Sequence, residues 1–388
     1  MGMEDEARLL SSTTGSDLGA QLRSARQNAG HSLAAMASMT HFSKSYLGHI
    51  ETGLRVPTPD VIERYEQVLG VAIGTPFDPV RLTHEWLLDR PPLAPQLNPG
   101  RRIGGATLQS LEARVIELRH LDDTVGSRTL LPLVRDALDD AVVLTREGVY
   151  PDRLGVRLFT VVGELSQLAG WIASDAGKYQ RAQQLYLTGV RAAEDAGDRV
   201  LGAQLLSSLA YQMSNVGNRD DGFLIARSTV SGAHDATPAV RALLTERLAW
   251  AAARCHDVET TRRALDAVDD AYERRSDGAA EPEWVYWLNR NEIDVMAARC
   301  HIQLGIPGEA EPLLRRALAG YDHSHIRETA LYQTWLAESH ARTGDLDAAR
   351  ALLDQIDTAS VDEGSVRLKR RILAVNQLVH RRRGKVER

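Results

Sequence analysis

From residue 170 to residue 349 one three-point signature returns five times: a small residue, a turn residue seven positions later, and a second small residue five beyond that. Gly170, Gly177 and Ala182 set it out. Ala210, Gly217 and Gly222 repeat it, followed by Ala249, His256 and Thr261, by Ala298, Gly305 and Ala310, and by Ala337, Gly344 and Ala349. Successive copies stand 40, 39, 49 and 39 residues apart. Small residues let two helix backbones approach where they cross, and glycine supplies a left-handed turn between them. Each copy therefore predicts a helical hairpin. A hairpin of this size cannot bury its apolar face alone, so the copies must stack into a curved solenoid. The 49-residue interval accommodates an insert, RRSDGAAEPEWVYW (274–287), and the third copy keeps neither the glycine turn nor the second small residue. Residues 106–147 predict a degenerate first hairpin, and 361–383 a terminal capping helix.

Strand patterns are nearly absent, because apolar residues recur at three and four rather than at two; the expected fold class is all-α. The 388 residues leave room for more than one domain. The segment DRPPLAPQLNPGRRIGGA (89–106) carries four prolines and three glycines and cannot continue a helix. It divides the chain into an N-terminal domain at 17–90, a linker at 91–105 and a repeat domain at 106–388. Residues 1–16, acidic and rich in Ser, Thr and Gly, are expected to be disordered. No apolar run reaches about 18 residues and no leader pattern begins the chain, which predicts a cytoplasmic protein without membrane spans. Net charge is −6, yet residues 18–57 hold Arg23, Arg26, Lys44 and Arg55 against Glu51 alone. An anionic partner is therefore expected at this end.

That basic stretch reads as four short helices. The first spans Leu18 to Asn28 and stops at Gly30; Ser32 caps a second, Leu33 to Ser38; Ser43 caps a third, Lys44 to Thr52, stopped by Gly53; the fourth runs from Pro59 to Leu69. Leu22, Leu33, Met36, Ala37, Leu47, Ile50, Ile62 and Leu69 supply one shared core. Two short helices joined by about four residues have helix-turn-helix spacing. With Leu47 and Ile50 facing inward, Lys44, Ser45, Gly48 and His49 share the outward side of the third helix. Ser43, Lys44, Ser45 and His49 are the residues expected to approach base edges, with Ser32 and Arg55 on the phosphate backbone. Gly48 costs a helix roughly 1 kcal/mol, a cost that close approach to DNA would explain. Glu51 is expected to pair with Arg23 or Arg26 inside the domain, and Tyr46 to serve packing.

The set Leu22, Arg26, Ser32, Leu33, Ala37, Ser43, Tyr46, Leu47, Ile50, Glu51, Gly53 and Pro57 resembles the phage-repressor-like helix-turn-helix family known as XRE, over about fifty residues. The resemblance implies binding to double-stranded DNA. It departs from the family at the start of the second helix, where a DNA-touching glutamine is common and Ala34 and Ala35 stand here. The stretch GELSQLAGWIASDAGKYQRAQQLYLTGVRAAE resembles the tetratricopeptide repeat, with Gly170, Tyr179, Ala182 and Tyr186 at its small and aromatic positions. The two-part layout is similar to that of actinobacterial repressor-like regulators with a tetratricopeptide-like C-terminal part, and implies a transcription factor.

In tetratricopeptide-like hairpins the first helix lines the concave surface, and the position after the crossing residue points into it. Those positions are Trp171, Tyr211, Trp250, Arg299 and Glu338. With Gln167 and Gln204 one or two turns earlier, Trp171, Tyr211, Trp250 and Arg299 form the expected ligand groove, suited to a small molecule or peptide. The competing reading is that Trp171 and Trp250 fill gaps between hairpins. Trp284 and Trp287 of the insert are placed to lid the groove. Cys255-His256 and Cys300-His301 occupy non-equivalent positions without further ligands, so neither a metal nor another cofactor is expected, and no phosphate loop, nucleophile elbow or dinucleotide fingerprint points to an enzyme. The leading expectation is a regulator that binds an inverted-repeat operator as a homodimer and senses an effector through its solenoid. The other is an adaptor whose solenoid captures a partner protein.

Overall fold

The computed structural model of the chain describes residues 18–88, 101–276, 280–321, 326–356 and 365–386, apart from 56, 72 and 74–77. Residues 1–16, expected to be disordered, and 91–100 of the expected linker lie outside the described residues. The fold is all-α: a small helical domain followed by stacked helical hairpins.

The N-terminal helices follow their local signals. Residues 18–28 form α1, and Ser32 and Ser43 cap α2 (Leu33–Thr40) and α3 (Lys44–Glu51), each accepting a backbone N–H with its side-chain oxygen. Helix α4 spans Pro59–Leu69 with proline in its first turn. Leu22, Met36, Leu47, Ile50, Val61, Ile62, Tyr65 and Ile73 form their core. Helix α1 crosses α3 at backbone contact: a Cβ on Gly19 would stand 2.2 Å from the carbonyl oxygen of Ile50.

Helix α5 (Pro79–Leu87) lies in the span expected to belong to the N-terminal domain, yet Leu82 and Trp86 are part of the hairpin core. Residues 101–104 are likewise fixed to that body: Arg101–Arg102 (β1) pairs in parallel with Gly148–Val149 (β2), and Ile103 is buried. Among the described residues six hairpins follow, formed by α6 (Gly105–Asp122) and α7 (Ser127–Glu147), α8 (Asp152–Asp175) and α9 (Tyr179–Ala196), α10 (Arg199–Val216) and α11 (Arg219–Gly232), α12 (Pro238–Arg254) and α13 (Val258–Glu273), α14 (Arg290–Leu304) and α15 (Pro307–Ala319), and α16 (Ile326–Thr343) and α17 (Leu346–Gln355). First helices pack on first helices along the stack, α8 on α10, α10 on α12 and α12 on α14. The crossings are as tight as the small residues require: a Cβ on Gly170 would meet the Tyr186 ring at 2.5 Å. One turn departs from expectation. Gly217 is extended (φ −130°), while His256, standing where glycine was lost, adopts the left-handed conformation (φ 60°). Hairpin spacing thus survives with an imidazole paying the left-handed strain and a glycine that does not use it.

The last helix, α18 (Val366–Val386), begins five residues later than expected, with 361–364 outside the described residues. It covers α16 and α17 as a cap would. Its first turn also runs back across the stack, where Arg367 pairs with Asp175 of α8 at 3.0 Å and Arg370 reaches the Tyr179 hydroxyl at 2.6 Å.

Candidate functional site

Helix α3 is held from beneath by a buried ion pair. The Arg26 guanidinium donates from Nε to Glu51 Oε1 at 2.7 Å and from Nη2 to Oε2 at 2.6 Å, and the Tyr65 hydroxyl donates to Oε1 at 2.9 Å. Arg26, not Arg23, is therefore the partner, and Tyr65 is a third member that no local pattern marked. Burial and the bond to Glu51 keep the Tyr65 phenol protonated far above its ordinary range. On the opposite side Ser43, Lys44, Ser45 and His49 are all exposed. Ser43, Lys44 and Ser45 stand at the helix N-terminus, where unpaired N–H groups favour anions, and His49 lies on its last turn. The Ser43 and Ser32 oxygens are engaged by the Tyr46 and Ala35 N–H groups at 3.1 Å, so each acts first as a cap. Arg55 is exposed and lies 4.9 Å above the half-buried Tyr46 ring. A Cβ on Gly48 would make only ordinary contact with Leu33, at 3.5 Å, so nothing within the domain demands glycine there.

The six groove residues stand on the walls of two adjoining cavities of about 380 and about 350 Å³. Gln167 and Gln204 line the first, Trp250 the second, and Trp171, Tyr211 and Arg299 both. Trp171 stacks on Tyr211 with ring centroids 5.9 Å apart, and Arg299 Nη2 donates to the Tyr211 hydroxyl at 2.8 Å. Trp250 is only 1% exposed, packs edge-on against Trp335 and donates to Asn215 Oδ1 at 3.3 Å. It combines the gap-filling role with a wall position. Glu338, the fifth position of the series, lies off both cavities and pairs with Arg371 at 2.6 Å and Arg342 at 2.7 Å.

The insert closes one side of the first cavity. Trp284 and Trp287 line it, Glu283 pairs with Arg119 and with His120 of α6, and the Tyr286 hydroxyl donates to Asp123 at 2.6 Å. Charge in this cavity is mixed. Arg119, Arg247, Arg299 and Arg367 face Glu246 and Glu292; burial lifts the Glu246 carboxyl to about 7 against the pull of Arg247, and Glu292, also raised by burial, accepts from the Tyr332 and Tyr321 hydroxyls. Among the described residues no three His, Cys, Asp or Glu side chains group as metal ligands would, and no helix is long and apolar enough to cross a membrane.

Sequence reasoning missed the contact between the two parts of the chain. Glu66 of α4 is 1% exposed; its Oε1 accepts from the Ile73 N–H at 2.8 Å and its Oε2 from the Gln180 N–H of α9 at 3.2 Å. Arg370 of α18 donates to the carbonyls of Glu66, at 2.9 Å, and of Gln67 while also holding Tyr179, and Lys178 pairs with Glu63 at 2.8 Å. Desolvation pushes the Glu66 carboxyl up to about 8 and nearby Glu63 adds to it, outweighing the two N–H bonds that favour the anion. Because the folded value lies above the ordinary 4.5, the neutral form contributes stability that is full below about pH 4.5 and lost as pH rises through about 8. Wild-type urea stability is therefore expected to fall by on the order of a few kcal/mol across this window. The Glu66→Gln variant should lose most of that slope; an unchanged slope would place the titration elsewhere.

Residues 17–75 match the family described as "Helix-turn-helix domain". No curated protein matches the chain. The match spans α1 to α4 and the exposed rim of α3, in accord with an XRE-like N-terminal domain, and a helix-turn-helix domain points to a DNA-binding regulator with DNA as a partner.

Proposed function

We propose that the chain is a transcriptional regulator in which α3 reads an operator and the tetratricopeptide-like body dimerises and senses a small molecule or peptide. The observation that carries this reading is the rim of α3. Four side chains, Ser43, Lys44, Ser45 and His49, are exposed along a helix whose other face is locked by Arg26, Glu51 and Tyr65. Ser32 and Arg55 flank that rim on the phosphate side. A dimer would set two such helices about 34 Å apart, one turn of an inverted repeat. The groove at Gln167, Trp171, Gln204, Tyr211, Trp250 and Arg299 supports the sensor role, since two cavities of ligand size meet there under aromatic walls.

Fluorescence anisotropy on the chain's own promoter region and on random DNA tests the reading. The promoter is expected to bind at least about tenfold tighter at moderate salt, with affinity falling steeply as salt rises. Lys44→Glu places a carboxylate against phosphate and should remove most of that binding without changing the melting temperature, because Lys44 is exposed. Equal affinity for both DNAs would refute the regulator and leave the adaptor reading.

A further inference from the structure

The second cavity differs from the first in its charge. Its wall carries Arg254, Arg299, Arg367, Arg370 and Arg371 against one carboxylate, Asp175. Arg367 is matched by Asp175, and Arg371 by Glu338 just outside the wall. Arg254 and Arg299 have no ion-pair partner among the described residues: Arg254 donates to the Ser214 carbonyl and Gln303, and Arg299 to the Tyr211 hydroxyl. Arg299 is 7% exposed and its Nε has no hydrogen-bond partner, nor has the equally enclosed Oε1 of Gln212 on the same wall. An unmatched buried guanidinium costs several kcal/mol, so its retention calls for compensation.

Aromatic rings provide part of it. The Arg299 guanidinium lies 4.3 Å from the Trp250 ring centre and 5.0 Å from that of Trp335, Arg371 lies 3.5 Å from Trp335, and Arg367 5.4 Å from Trp171. Stacking eases desolvation but leaves the positive potential in place. Two neighbours register it. Desolvation and the like charges of Arg219 and Arg299 depress Arg254 to about 10, and the Tyr211 phenol, which burial alone would raise, is drawn down to about 8 by Arg299, Arg367 and Arg247.

We propose that this cavity binds a small anion, a carboxylate or phosphate on a flat unsaturated body, with Arg299 and Arg254 taking the charge and Trp171, Tyr211 and Trp335 the flat faces. A volume of about 350 Å³ holds such a molecule, and the walls supply both stacking surfaces and unmatched donors. The proposal names the chemistry of the effector and rests on the sensor reading only for its consequence. Arg370 shares this wall and also holds the Glu66 and Gln67 carbonyls, so an occupant would sit against the contact that docks the DNA-binding domain.

Three isosteric probes test it on the full chain without DNA: 1-naphthoate, 1-naphthalenemethanol and 1-naphthylmethylammonium, titrated at constant ionic strength with calorimetry and tryptophan fluorescence. Naphthoate is expected to bind at least tenfold tighter than the alcohol, and the ammonium weakest. Arg299→Gln should erase the preference for naphthoate, and Ser208→Ala, on the first cavity only, should leave it intact. A phenyl phosphate arm tells phosphate from carboxylate selectivity. Equal binding of anion and alcohol overturns the proposal, as does naphthoate binding that survives Arg299→Gln and disappears in Ser208→Ala. If Arg299→Gln fails to fold, the wild-type ranking of the three probes still decides. Failure of operator binding would leave this result untouched, so the two readings fail separately.

Discussion

Replacing Glu51 by Ala is expected to destabilise the N-terminal domain by about 3–5 kcal/mol and to abolish DNA binding while the hairpin body stays folded. The carboxylate answers two N–H donors of Arg26 and the Tyr65 hydroxyl at once, and all three side chains are buried. Its removal leaves a guanidinium with one remaining bond, to the His31 carbonyl at 2.7 Å, and a phenol with none. The cost of the change is mostly that of the orphaned charge and not the net worth of the pair. Arg26→Ala should accordingly hurt as much, and the apolar exchange Arg26→Met with Glu51→Leu should recover most of the loss. Urea unfolding followed by far-UV circular dichroism reads this as an early transition that splits from a later, unchanged one. Single variants that each cost less than about 1 kcal/mol would mean that the pair is solvated in solution. The triad explains why so short a helix as α3 can present its rim rigidly: the pair anchors its last residue to α1 and α4, and Ser43 fixes its first.

Much of this was legible because the signals are local. Ser32 and Ser43 cap helices that begin at the next residue, and Pro59 and Leu69 bound α4 as expected. Helix α2 extends past its expected end to Thr40, where the Thr40 hydroxyl bonds the Met36 carbonyl and carries the turn onward. The hairpin period held even where its chemistry did not: His256 takes the positive φ expected of a glycine, and the turn at Gly217 is made without one. What stayed hidden is non-local. Nothing beside Trp86 says that its pocket is made by glycines more than a hundred positions away. Nothing marks Arg370, among so many arginines, as the one that reaches Glu66 across the chain. The groove positions were expected from the tetratricopeptide resemblance, and part of the charge contrast between the two cavities comes from α18, whose Arg370 and Arg371 line only the second.

The exchange Trp86→Ala is expected to cost the hairpin body about 3–5 kcal/mol. The indole is 4% exposed and occupies a slot cut by two absent side chains: a Cβ on Gly202 of α10 would stand 2.6 Å from its Nε1, and one on Gly232 of α11 2.5 Å from its Cζ3. Arg199 covers it at 4.8 Å, donates to the Gly232 carbonyl at 2.7 Å and reaches the carbonyls of Trp86 and Leu87 that end α5. Truncation empties a slot that rigid helix backbones cannot close, so α5 should detach, and hydrogen exchange over 79–87 should rise to the rate of an open segment. The docked N-terminal domain would then depend on the contacts around Glu66 and Arg370, and its release on raising pH toward 8 should become easier than in the wild type. A double-mutant cycle makes the slot explicit. With Trp86 present, Gly202→Ala forces a methyl group into the indole and destabilises. With Ala at position 86 the same change meets open space and should be neutral or favourable, because alanine exceeds glycine in a helix interior by about 1 kcal/mol. Additive costs in that cycle would show that the two positions do not touch, and α5 would then be held by something other than its tryptophan.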